Sequence, residues 1–205
     1  LPARPLGTPS KPRKIGEREL PGYRLVEYEY TNGHGERVPL SVAEPTQRLH
    51  GAPMIAIHQT NETGRREVFG LDGDPTLAYG HELARRGHRV FAIDLAWTGE
   101  RAPGIQWDKD GFYKEHPDWS MIGKAVADLH DLSVVIHGSF EEQDRPRCIG
   151  HSLGGLIALF YLALYHGLSR AVCNASYFQT PAVGDPWQSQ LYTSRVLSAS
   201  RREFC

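Results

Sequence analysis

The sequence reads as an α/β fold, a doubly wound and mostly parallel sheet entered through an N-terminal antiparallel hairpin. Short apolar runs at "PMIAIH" (53–58) and "HRVFAID" (88–94) read as strands buried within a parallel sheet, and "RPRCIGHS" (145–152) as another short strand. Helical patterns separate these runs, and strand alternating with helix implies right-handed crossovers in one sheet. Ahead of them the period is that of a half-buried hairpin.

Residues 1–20 read as an extended arm, rich in Pro and basic residues and lacking the apolar core of a signal peptide. Tyr23 to Tyr30 is dense in β formers, "TNGHGE" supplies turn residues, and "RVPLSVAEP" (37–45) returns as the second strand. After the 53–58 strand, Thr76 is a plausible N-cap for a helix through "LAYGHELARR", which Gly87 ends. Residues 94–117 read as a long aromatic-bearing loop, and loops of that length tend to be lids or binding loops. Asp118 or Ser120 is placed to cap an amphipathic helix running to about His137. "LGGLIALFYLALYHG" reads as a buried helix and "SRAVCNAS" as a further strand. The division that follows is an arm at 1–20, a core at 21–176 and an atypical tail at 177–205.

The chain has 205 residues, with 23 basic and 24 acidic side chains. Near-neutral charge argues against a nucleic-acid footprint and gives no steering to anionic lipid. The longest apolar stretch, 153–168, is short of a membrane span and is interrupted by Gly, Tyr and His166, so a soluble, cytoplasmic protein is expected. Three cysteines at 148, 173 and 205 form no metal spacing and no disulfide framework; Cys148 and Cys173 read as small buried hydrophobes. The first residue is Leu1 rather than Met, as in a fragment or a trimmed form.

The chemistry centres on Gly150-His151-Ser152-Leu153-Gly154, a G-x-S-x-G with an apolar strand before it and an apolar helix after it. Glycines permit the sharp turn that lifts the serine hydroxyl above the carboxyl ends of the strands, where open α/β sheets bind ligands. The helix N-terminus adds partial positive charge for a developing oxyanion. The plainer alternative is a Gly-rich turn with a solvent-facing serine. Two preorganised N–H donors are needed. Leu153 supplies one, and Gln59 or Thr60, after the 53–58 strand, is the candidate for the other; an ordinary polar loop is the alternative there.

These features resemble the α/β-hydrolases of the dienelactone hydrolase and acetyl xylan esterase-like group. The likeness rests on "IAIHQTNETGRREVFGLDGDPTLAYGHELARRGHRVFAIDLAWTGER", "DWSMIGKAVADLHDLSVV" and "RPRCIGHSLGGLIALF", spanning about residues 23–175. Dienelactone hydrolases proper carry a cysteine nucleophile, whereas Ser152 matches the esterase relatives. The resemblance implies hydrolysis of a small-molecule carboxylic ester through an acyl-serine intermediate, with no metal and no organic cofactor.

In this fold the order is Ser, then Asp or Glu, then His. The only histidine after Ser152 is His166, at the far end of the same helix, about 21 Å away at 1.5 Å per residue, too far to act as base. Asp185 is a candidate acid by position, with an ordinary "VGDP" turn the better reading. His151 reads as a packing group, His58 as shaping the oxyanion loop, and His116 as a loop residue with no assigned partner. Residues 127–131, "ADLHD", read as the solvated face of a helix. His58, His151, Trp97 and Trp107 are pocket candidates, with Phe112, Tyr113 and Trp119 as further wall residues; packing of the loop onto the sheet is the alternative for each aromatic. The polar segment 178–205 does not resemble the family's closing strands. The sheet is therefore expected to end at "SRAVCNAS", whose open edge invites self-association. Two readings follow: a serine esterase, impaired if the acid and histidine of the triad are absent, or a catalytically inactive binding or regulatory module.

Overall fold

The computed structural model describes residues 7–48, 50–102, 109–165, 170–174 and 195–197. Its strands, in chain order, are β1 (Arg13–Leu20), β2 (Tyr23–Thr31), β3 (Arg37–Pro45), β4 (Met54–Ile57), β5 (Val90–Ile93), β6 (Arg147–His151), β7 (Arg170–Asn174) and β8 (Arg195–Leu197). Its helices are α1 (Arg65–Val68), α2 (Tyr79–Arg85), α3 (Lys109–Glu115), α4 (Met121–Ser139) and α5 (Leu153–Tyr165). The strands form one sheet in the order β1-β2-β3-β5-β4-β6-β7-β8. The four central strands β5, β4, β6 and β7 run parallel, and β1–β3 join them antiparallel through the β3–β5 pair.

The two-residue period of the central strands divides their side chains between two cores. Ile55, Ile57, Phe91, Ile93 and Cys148 face one side, under Val126, Leu129, Leu132 and Val135 of α4 and Ile157, Ala158 and Tyr161 of α5. Met54, Ala56, Val90 and Ala92 face the other, against Val68 and Phe69 beside α1 and Ala84 of α2. Burying a side chain of Leu or Ile size contributes about 1.5–3 kcal/mol, so strands apolar on both faces are stable only with helices on both sides.

Local chemistry fixes the ends of the elements. In the β2–β3 turn the Asn32 side-chain oxygen accepts from the N–H groups of His34 and Glu36, and Gly35 takes φ +84°. Ser120 caps α4, its hydroxyl accepting from the Gly123 N–H at 2.9 Å. Gly87, at φ +87°, follows α2, and the N–H groups of Gly87 and His88 turn back to Ala84 and Leu83.

The structure differs from the sequence reading in five places. Residues 13–20, placed in an arm, pair with β2 as an edge strand. Asp74 rather than Thr76 caps the turn before α2, its carboxylate accepting from the Thr76 N–H and hydroxyl. The 94–117 loop contains a 3-10 turn, Gly99–Arg101, and helix α3. The sheet does not end on β7, because β8 pairs with it antiparallel. Finally, Asp128 and Asp131 are buried, not solvated: Asp128 pairs with Arg101 at 2.6 Å and accepts from Asn32, while Asp131 accepts from the Gly33 N–H at 2.7 Å. The helix face reads as polar because it meets a polar hairpin turn. Among the described residues, no helix is long and apolar enough to cross a membrane.

Candidate active site

Strand β6 ends at His151 and α5 begins at Leu153, leaving Ser152 alone in the connecting turn at φ +52°. A residue with a Cβ occupies that region at a cost of about 1–2 kcal/mol, so the surroundings must hold it there. The N–H groups of Gly155 and Leu156 donate to the Ser152 carbonyl at 3.1 and 3.3 Å, closing the first turn of the helix beneath it. The flanking glycines permit a backbone approach no other residue allows. A Cβ on Gly150 would lie 2.7 Å from the Gly155 nitrogen, and one on Gly154 would lie 2.6 Å from the His58 carbonyl oxygen. The turn is thus pressed against the end of β4, which places residues 58–60 beside it.

His58 is fully buried. Its Nδ1 lies 2.6 Å from the Gln59 carbonyl, and its Nε2 accepts from the Leu95 N–H at 3.3 Å. The Thr98 hydroxyl, which donates to the Leu95 carbonyl at 2.8 Å, stands 3.1 Å from the same Nε2. This pattern assigns the neutral Nδ1–H tautomer, and burial pushes the imidazole pKa down, opposed by the nearby Asp94 charge. Both nitrogens are occupied in joining the loop after β4 to the loop after β5.

A buried ion pair ties the same loops a second time. Asp94, at the end of β5, accepts from the Arg65 backbone N–H at 2.7 Å, from the Arg65 guanidinium at 2.5 Å and from the Glu100 N–H at 3.0 Å. Gly99 leaves room for that carboxylate: a Cβ there would sit 2.6 Å from it. The Arg65 guanidinium also donates to Ser41 at 2.9 Å and Glu100 at 2.7 Å. Nearer the loop, buried Glu67 accepts from Gln59 Nε2 at 3.2 Å, from Asn61 Nδ2 and from the Asp74 N–H at 3.3 Å. The Tyr79 hydroxyl donates to the Ile57 carbonyl, and the His151 backbone hydrogen-bonds the same hydroxyl.

Ser152, Leu153, Gln59, Thr60, His58 and His151 therefore gather where the ends of β4 and β6 meet. His151 is half-buried beside the turn. Trp97 is buried, holds φ +64° and packs edge-on against Phe112 at 5.9 Å, and Phe112 is itself fully buried. Tyr113 is exposed; Trp119 packs on His34 at 4.9 Å and under the Lys124 ammonium at 5.6 Å. Trp107, His166 and Asp185 lie outside the described residues. His116 approaches Glu36 at 3.9 Å and packs with its ring tilted on Phe112 at 5.0 Å, which gives it a partner the sequence did not name. Among the described residues, no three His, Cys, Asp or Glu side chains are grouped to hold a metal ion.

Sequence reasoning missed Glu67, Tyr79 and the pairing of Arg65 with Asp94. The available signal was two oppositely charged residues, Asp94 closing a buried strand and Arg65 opening a short helix.

The profile of the alpha/beta hydrolase family matches residues 49–203. No curated protein matches the sequence. Among solved structures, a proposed acetyl xylan esterase from Bacteroides fragilis NCTC 9343 superposes with a TM-score of 0.67 at 19% identity, covering 82% of this chain and 48% of its own. A cold-adapted esterase from an Arctic intertidal metagenomic library gives 0.58 at 16% identity, covering 78% and 64%. Acetyl xylan esterase 1 from Thermoanaerobacterium sp. JW/SL YS485 gives 0.56 at 16% identity, covering 78% and 50%. The chain thus spans between about half and two thirds of the length of these structures.

Proposed function

Because this chain belongs to the alpha/beta hydrolase family, we propose that it hydrolyses carboxylic esters with Ser152 as nucleophile. The observation that carries the reading is the Ser152 backbone: φ +52°, alone between strand β6 and helix α5, with Gly150 and Gly154 in backbone contact on either side. That is the strained strand-to-helix turn which presents a serine hydroxyl above a sheet.

In the reaction, Ser152 Oγ attacks the ester carbonyl while a histidine takes its proton. The Leu153 N–H, at the start of α5, and the N–H of Gln59 or Thr60 donate to the developing oxyanion. The alcohol leaves with the returned proton, and water then cleaves the acyl-serine to release the acid and restore Ser152. His58 shapes the loop through its bond to the Gln59 carbonyl and is not the base, since both its nitrogens are occupied. The solved structures with this fold include two described as acetyl xylan esterases, which makes short acyl esters, acetylated carbohydrate among them, the first substrates to offer.

A specific observation favours a second reading, an inactive binding module. Of the nine described histidines, eight are engaged elsewhere: His34 with Trp119, His50 with His88, His58 in the loop, His81 with Tyr23, His116 with Glu36, His130 with Tyr165 and His137 with the Glu142 carbonyl. The remaining one, His151, adjoins the serine in sequence. Turnover of 4-nitrophenyl acetate by the full chain, lost in Ser152→Ala, supports the hydrolase. Binding of the ester without turnover, unchanged in Ser152→Ala, supports the module.

A further inference from the structure

We infer that Glu67 is the positioning residue for the oxyanion-binding loop, holding residues 59–61 ready before any substrate arrives; the inference rests on the ester-hydrolase reading above. Glu67 is a buried carboxylate on α1 that forms no ion pair among the described residues. An ionised carboxylate in such a place is costly unless N–H donors replace its water. Three do so. Gln59 Nε2 donates to one oxygen at 3.2 Å, the Asp74 N–H donates to that oxygen at 3.3 Å, and Asn61 Nδ2 donates to the other.

Two of the three donors belong to the loop itself, at alternate positions on either side of Thr60. Asn61 relays the restraint, because its side-chain oxygen accepts from the Gly64 N–H at 2.7 Å. Gly73, at φ +78°, completes the enclosure: a Cβ there would lie 2.9 Å from the Glu67 carboxylate and 3.0 Å from Thr63 Oγ1. Side-chain amides of residues 59 and 61 anchored on α1 fix the course of the backbone between them, and in the hydrolase reading that backbone supplies the second N–H donor beside the Ser152 turn. This is the support a preorganised donor pair requires, since donors that must reorganise during reaction lose most of their effect.

The test is Glu67→Gln in the full chain. The substitution keeps size and removes charge, and it turns one acceptor into an N–H₂ that faces donors. Hydrogen exchange read by mass spectrometry should show amides 59–61 exchanging about tenfold faster, with β4 and α4 unchanged. With 4-nitrophenyl acetate, kcat should fall about tenfold or more while KM stays within about twofold, the split expected of a loss confined to the transition state. Gln59→Ala, which removes a tether but no backbone donor, should lower kcat in the same sense. The double variant should be little worse than Glu67→Gln alone, since both act through one contact.

Unchanged exchange at 59–61, or kcat losses that multiply in the double variant, overturn the inference. If Glu67→Gln fails to fold, Gln59→Ala and Asn61→Ala carry the same two readouts, and slower exchange or unchanged kcat in both overturns it. A wild-type chain without Ser152-dependent turnover removes the hydrolase reading. Exchange at 59–61 then decides alone whether Glu67 orders the loop.

Discussion

Gly154 lies against the Ile57 carbonyl so closely that no methyl group fits between them. The start of α5 and the end of β4 are therefore in direct backbone contact, and this contact sets the distance between Ser152 and the 58–60 loop. Backbone atoms on both sides leave nothing flexible to yield, since a Cβ would stand 3.0 Å from the Ile57 carbonyl carbon and 2.6 Å from the His58 oxygen.

Gly154→Ala is accordingly expected to destabilise the fold by about 1–3 kcal/mol and to abolish reaction at Ser152. Gly138, near the end of α4, is the control, because nothing lies within 4 Å of a Cβ placed there. Gly138→Ala should stabilise by about 0.5 kcal/mol through lower backbone entropy in the unfolded chain. Urea unfolding of the two variants checks both signs.

Asp94 holds the Arg65 side chain and backbone together inside the protein, where neither group meets solvent. Asp94→Asn removes the charge and leaves the guanidinium with Glu27 and Glu100 alone. A loss of about 1–3 kcal/mol is expected, because the amide loses the charge-assisted bonds and turns an N–H₂ toward donors, while the guanidinium keeps two carboxylates. Thermal unfolding of the variant beside wild type checks it.

Tyr79 joins the end of β4 to the residue before Ser152 through one hydroxyl. Burial raises its pKa well above the usual phenol value, so it remains a neutral donor at all working pH. Tyr79→Phe should cost about 1 kcal/mol of stability, the net worth of a buried hydrogen bond. Under the ester-hydrolase proposal, turnover should drop by more than that stability change, because the hydroxyl bonds both the end of β4 and the residue before Ser152.

Acid should weaken the fold through Glu36. Burial pushes its carboxyl up, but the Lys124 ammonium and the Arg101 guanidinium outweigh that and hold it at about 2, below its ordinary 4.5. Stability from this group is complete above pH 4.5 and is lost as pH falls toward 2, because the unfolded chain takes up the proton first. The side chain is partly exposed, so solvent screening limits the effect to about 1–2 kcal/mol. Melting temperatures between pH 6 and about 2 should fall less steeply in Glu36→Gln than in wild type.

Much of the architecture was written in period and punctuation. Strands β4, β5 and β6 stand at the apolar runs 53–58, 88–94 and 145–152, and β2 and β3 flank the "TNGHGE" turn, because burial on two faces or one leaves a direct trace in the residue order. The serine turn was legible for the same reason: its glycines mark a backbone approach that the structure realises at Gly150 and Gly154. What the sequence hid is long-range and polar. Arg65 meets Asp94 across 29 positions and Arg101 meets Asp128 across 27, and such pairs have no local period. Asp128 and Asp131 looked solvent-facing because a charge on a helix is usually exposed, and only the folded hairpin turn explains their burial. Strand β1 was missed because its edge position leaves it charged and exposed along nearly its whole length.

The most direct test of the account is whether Ser152 is a reactive nucleophile. The full chain is incubated with a fluorophosphonate, and the adduct is located by peptide mass spectrometry. The account predicts one adduct, on Ser152, formed faster than on any other serine and absent in Ser152→Ala. An unlabelled Ser152 in a folded chain would contradict it.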